Sequence, residues 1–119
     1  MNVAQKFRTL WDSSEALKAV LPTEFLMTGT SIRKELPFGV IRENKMDFLS
    51  MTNRGPKTYF MHADIELSVA SHNTVEVFLN EIPKIFNAEN HFQIQDLRTV
   101  CQSMEYWKTV FTVSYWEDL

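Results

Sequence analysis

With 119 residues, 45% of them hydrophobic and 13% aromatic, the chain has the size of one domain and the apolar content to bury roughly two thirds of its unfolded surface. Twelve basic residues against fifteen acidic ones give a formal charge of −3, which argues against a module built to neutralise phosphates, since such modules are usually basic. The single cysteine, Cys101, excludes an internal disulfide framework, and three glycines are too few for a phosphate-cradling loop.

Val3, Phe7, Leu10 and Trp11 recur at helical spacing and predict an amphipathic first helix. Asp12, Ser13 and Ser14 are natural N-cap residues, so a break is expected before a second short helix, Glu15 to Leu21, with Ala16, Leu17 and Val20 inward and Pro22 ending it. The N-terminal stretch has acidic residues and no continuous apolar segment, so no signal peptide is expected, and no apolar run approaches the ~20 residues of a membrane-spanning helix.

Phe25 to Thr28 reads as a short strand and, after a polar link, Phe38 to Glu43 as a second. Asn44 to Pro56 is polar and turn-rich, with Phe48 to Met51 inside it as a segment able to extend a hairpin. The clearest strand is Thr58 to Ser71. Tyr59, Met61, Ala63, Ile65, Leu67 and Val69 alternate with Phe60, His62, Asp64, Glu66 and Ser68, and successive side chains of a strand point to opposite faces. One face is built for burial and the other for water, the pattern of an antiparallel sheet covered on one side.

The main helix follows. Asn73 and Glu76 have capping-box spacing, and Val75, Phe78, Leu79, Ile82 and Phe86 form the apolar stripe. Pro83 within the stripe predicts a kink or an early end near Ile82. Phe92 to Cys101 and Glu105 to Glu117 read as a terminal hairpin turning near Gln102 to Met104. Trp107, Thr109, Phe111, Val113 and Tyr115 share the buried face of its second strand, and Lys108, Val110, Thr112, Ser114 and Trp116 the other. The expected architecture is one α+β domain over residues 1–119, a two-layer sandwich in the order α-β-β-β-α-β-β. Its mainly antiparallel sheet has about four to five strands, with helices packed on one face.

His62, Asp64 and Glu66 project side by side and combine an imidazole with two carboxylates, the donor types of a divalent metal site, which Glu43 on a neighbouring strand could join. A solvated polar face explains the same pattern, so no metal and no cofactor is expected. Cys101 would need a base beside it to act as a nucleophile, His91 or His72 being the candidates, and a partly buried small residue is the simpler reading. The sequence contains no nucleophile elbow, zinc helix, P-loop, dinucleotide fingerprint or CxxC pair. Arg33, Lys34, Arg42, Lys45, Arg54 and Lys57 gather between strands, interspersed with Glu35, Glu43 and Asp47. An ordinary charged loop explains this pattern better than nucleic-acid binding, and contact with an acidic partner surface stays open. Phe60, Tyr106 and Trp116 fall on the wetter side of their strands, where large apolar groups serve an interface.

The layout as a whole resembles the tail-completion, or tail-terminator, proteins of tailed bacteriophages and prophages. The resemblance spans Glu15 to Trp116. It lies in the helical N-terminus ending at a proline, the Leu36-Pro37-Phe38-Gly39-Val40-Ile41-Arg42 segment, the long alternating strand with its helix, and the terminal hairpin ending in Phe111, Val113, Tyr115 and Trp116. It implies a non-enzymatic virion subunit that forms a ring, commonly a hexamer, on the tail tube and meets the head connector. Its location would be the virion or the bacterial host cytoplasm, without a membrane partner. In that setting the subunit interface is expected at Phe60, His62, Asp64, Glu66, Arg42, Arg54, Lys57 and Trp116. Two alternatives from other classes stay open. One is a small ligand-binding or metal-dependent enzymatic domain with a pocket lined by Tyr59, Met61, Phe78, Phe111 and Tyr115; the other is a partner-binding adaptor without any phage connection.

Overall fold

The computed structural model describes residues 2–28, 35–52, 55–103 and 106–118, and for 44–52, 55–59, 102–103 and 118 it describes the backbone alone. Helices α1 (Val3–Asp12) and α2 (Glu15–Val20) lead through a short 3₁₀ turn into strand β1 (Leu26–Thr28). A long hairpin, β2 (Phe38–Thr52) and β3 (Gly55–Val69), comes next. Helix α3 (His72–Ile85) and the hairpin β4 (Phe92–Ser103) and β5 (Tyr106–Asp118) complete the chain. The five strands form one sheet in the order β1-β2-β3-β5-β4, and the expected α+β sandwich is what the chain adopts.

The period-two pattern of β3 sorts the two faces as its sequence implies. Ala63, Ile65, Leu67 and Val69 are buried under the helices, and across the β3–β5 register they lie beside Val113, Phe111, Thr109 and Trp107. The helices complete an aromatic core. Phe7 of α1 stacks on Phe86 with ring centroids 4.5 Å apart, and Phe86 meets Phe92 edge-on at 5.2 Å. Trp11 packs against Phe78 and donates its indole N–H to the carbonyl of Leu21 at 2.8 Å. Its large apolar surface is thereby buried without orphaning its one polar atom. Four of the five residues expected to line a pocket belong to this layer. Met61, Phe78, Phe111 and Tyr115 are all buried side chains of the core, and Tyr59 lies outside the residues with described side chains.

Several expectations are corrected. Asn44–Thr52 is strand, not a turn-rich link, because β3 pairs along it from Asn44↔His62 to Thr52↔Gly55; the ladder is irregular between Asn44 and Phe48 and between Ser50 and Met51. The sheet is mainly antiparallel as expected, with one parallel pair, β1 beside β2 over Leu26–Thr28. Helix α3 is capped by Ser71, whose hydroxyl accepts from Asn73 N–H, rather than by Asn73 itself. It also continues through Pro83 to Ile85. The proline falls in the last turn, and the carbonyl it leaves without a donor is that of Leu79, on the solvent side of the helix. Leu79 is correspondingly 41% exposed rather than part of the buried stripe, and Ala16 of α2 is exposed as well. Residues 53–54 and 104–105 lie outside the described residues.

Candidate functional site

The helices cover only one face of the sheet. On the other, each polar residue of β3 sits beside a residue of β5: Phe60 beside Trp116, His62 beside Ser114, Asp64 beside Thr112, Glu66 beside Val110 and Ser68 beside Lys108. Arg42 and Asn44 of β2 flank Asp64 and His62, and Gln93, Gln95, Arg98 and Val100 of β4 complete the far side.

Register decides what these residues do. His62 Nδ1 lies 2.8 Å from Ser114 Oγ, and Asp64 accepts from the Thr112 hydroxyl at 3.0 Å. Glu66 meets Arg42 at 2.9 Å and Lys108 at 3.8 Å, and Ser68 Oγ is 3.1 Å from Tyr106 OH. The three donors that suggested a metal are each engaged by a neighbouring strand, His62 and Asp64 by the residues directly opposite and Glu66 by two diagonal cations. Among the described residues no three His, Cys, Asp or Glu are arranged to hold an ion. Glu43, the fourth potential ligand, faces the opposite side of the sheet. Its carboxylate accepts the N–H of Ala4 at 3.2 Å, where the positive end of α1 favours an anion. It ties helix to strand and cannot join His62.

Cys101 is exposed near the end of β4, beside Trp107 in the register. Of its two candidate bases, His91 sits before the start of β4, about 30 Å away along the strand, and stacks on Trp116 with centroids 5.7 Å apart. His72 lies edge-on to Trp107 at 4.9 Å and faces Glu76.

Of the expected interface residues, Phe60, His62, Asp64, Glu66, Arg42 and Trp116 share the open face. Phe60 and Trp116 have centroids 6.5 Å apart, and with His91 they form a half-exposed aromatic strip beside the base of the long hairpin. Arg33, Lys34 and Arg54 lie outside the described residues, and of Lys45 and Lys57 only the backbone positions in β2 and β3 are described. Arg98 and Lys108 belong to the same face but were absent from the expected set. Alternation along β5 already placed Lys108 there. Arg98 was hidden because an irregularity in β4 inverts the alternation that starts at Phe92.

Two edges bound this surface. β1 covers β2 only at Gly39–Ile41, so from Arg42 to Thr52 the outer edge of β2 has no strand beside it among the described residues. The other edge, β4, is interrupted by register shifts at Gln95–Arg98 and Cys101–Ser103, which discourage pairing with another strand. No helix among the described residues is long and apolar enough to cross a membrane. No protein-family model matches the sequence, and no curated protein matches it.

Proposed function

We propose that this chain is a non-enzymatic assembly subunit of a phage or prophage tail, forming an oligomeric ring that completes the tail and joins it to the head. The observation that carries the reading is the outer edge of β2. Some eleven residues of backbone donors and acceptors, Arg42 to Thr52, run along a hairpin arm with no neighbouring strand among the described residues, and such an edge is a template for another chain. The one-sided sheet adds a broad surface of mixed polar and aromatic groups, which suits protein contact. The hairpin reaches a neighbouring subunit, and the open face lines a lumen or a second contact.

The alternative, a ligand-binding or metal-dependent enzymatic domain, draws no support from the helix side of the sheet, where Met61, Phe78, Phe111 and Tyr115 occupy the volume a pocket would need. The test of the ring is mass by light scattering together with negative-stain images, on the protein alone and after coexpression with its genomic neighbours. Closed rings whose mass is a whole multiple of the monomer are expected. A monomer in both preparations overturns the proposal.

A further inference from the structure

Edge strand β4 breaks its ladder in one informative place. Gln95 lies opposite Thr112 and Arg98 opposite Val110, so Asp96 and Leu97 together occupy the place of one residue. Asp96 takes a left-handed backbone, φ 57°, the conformation that glycine takes as the first residue of a G1 bulge. The extra residue sends Leu97 to the core and turns Arg98 onto the open face. There Arg98 walls a depression of about 300 Å³ shared with Arg42, Asp64, Glu66, Val110 and Thr112.

The charges in this depression are incompletely matched. Glu66 takes both Arg42 and Lys108. Among the described residues Arg98 bonds only the carbonyl of Asp96, at 3.4 Å, and Asp64 only the Thr112 hydroxyl. One cation and one anion that form no ion pair among the described residues thus stand on the same face, two strands apart and one rung apart along the strands, Arg42 beside Asp64 being paired with Glu66 instead.

We propose that this open face docks on the open face of a second copy of the chain, Asp64 of each copy meeting the partner's Arg98. A two-fold contact requires a surface that is complementary to itself, and a cation and an anion on one face, neither in an ion pair among the described residues, supply that. Among the described side chains the face carries Arg42, Arg98 and Lys108 against Asp64 and Glu66, a mixture of signs that limits repulsion between two copies. Four strands of this length present about 800 Å² per copy, the share each partner contributes to a standard-size interface. Val100, 40% exposed, and half-buried Val110 flank the pair with apolar surface. The proposal rests on self-association, the broader part of the ring reading, and adds a contact separate from the hairpin edge.

Charge exchange tests it. Asp64→Arg and Arg98→Asp, singly and together, are compared with the unaltered protein by sedimentation equilibrium, with Arg98→Gln as a milder variant and circular dichroism to verify folding. Each reversal is expected to weaken self-association by about tenfold or more, Arg98→Gln to weaken it less, and the double exchange to restore it. Raising salt to about 0.5 M should weaken the native pair. Single variants that associate like the native protein, or a double variant no better than either single, overturn the pairing. A protein whose hairpin is shortened, with an Asn-Gly turn replacing residues 46–60, separates the two proposals. Salt-sensitive dimers without rings in both this protein and the native one uphold the pairing and sink the ring. Rings of the native protein with a monomeric shortened protein do the reverse.

Discussion

Trp11 is held by the rings around it and by one hydrogen bond to the Leu21 carbonyl. Replacing it with Phe keeps most of the apolar contact but strands the Leu21 carbonyl in the core, a loss of about 1–3 kcal/mol. Urea titration followed by circular dichroism should show the midpoint falling with an unchanged slope. Asp96 makes the opposite case. Its left-handed backbone costs an L-residue energy that glycine escapes, so Asp96→Gly is expected to raise stability by about 0.5–1 kcal/mol in the same titration. Neither role is visible from residue type alone. An aspartate in a strand reads as a surface residue, and only the register between Gln95 and Arg98 exposes it as the pivot that inverts the faces of β4.

At the level of elements, Gly39 marks where β1, β2 and β3 crowd together. A Cβ there would stand 2.6 Å from Leu26 Cδ2 and 2.8 Å from Leu67 Cδ2. Gly39→Ala therefore forces both leucines to shift and should cost about 1–3 kcal/mol, read as a lower melting temperature. Pro83→Ala restores a donor to the last turn of α3 and relieves the proline ring. It is expected to raise the melting temperature, by a stability gain of about 1 kcal/mol, below the ~3 kcal/mol of a mid-helix proline.

The elements readable in the sequence are those whose apolar periodicity is strong: α1 through Val3, Phe7 and Trp11, β3 through Met61 to Val69, and β5 through Thr109 to Tyr115. The distal half of β2 escaped because Asn44 to Thr52 lacks that signal and is strand through its pairing with β3. The parallel partnership of β1 and the place of β5 between β3 and β4 depend on contacts between distant parts of the chain, which local patterns do not encode. The open face was legible as a face, from His62, Asp64 and Glu66. Its polar contacts were not, because the Arg42–Glu66 ion pair and the Thr112–Asp64 hydrogen bond exist only once the register is set.

The molecule measures 54 × 28 × 23 Å with a radius of gyration of 15.0 Å, against about 13.5 Å for a compact chain of this length. A long hairpin accounts for such elongation. The shortened-hairpin protein should keep a single cooperative melting transition, since the aromatic core around Phe7, Phe86 and Phe92 lies elsewhere. Loss of that transition would mean that the arm supports the fold as well as assembly.

The β3–β5 pairing has a consequence in time as well as in space. β2–β3 and β4–β5 are local hairpins whose strands can find each other quickly. Their union pairs Thr58 with Asp118 and Val69 with Trp107, which requires a loop holding α3 and β4 to close first. Closing that loop costs entropy before any contact rewards it. Stopped-flow refolding is therefore expected on the millisecond-to-second scale typical of non-local topologies. Substitutions at Ala63 and Val113, which face each other across the junction, should slow that refolding more than substitutions at β1, the three-residue strand that is added at the margin.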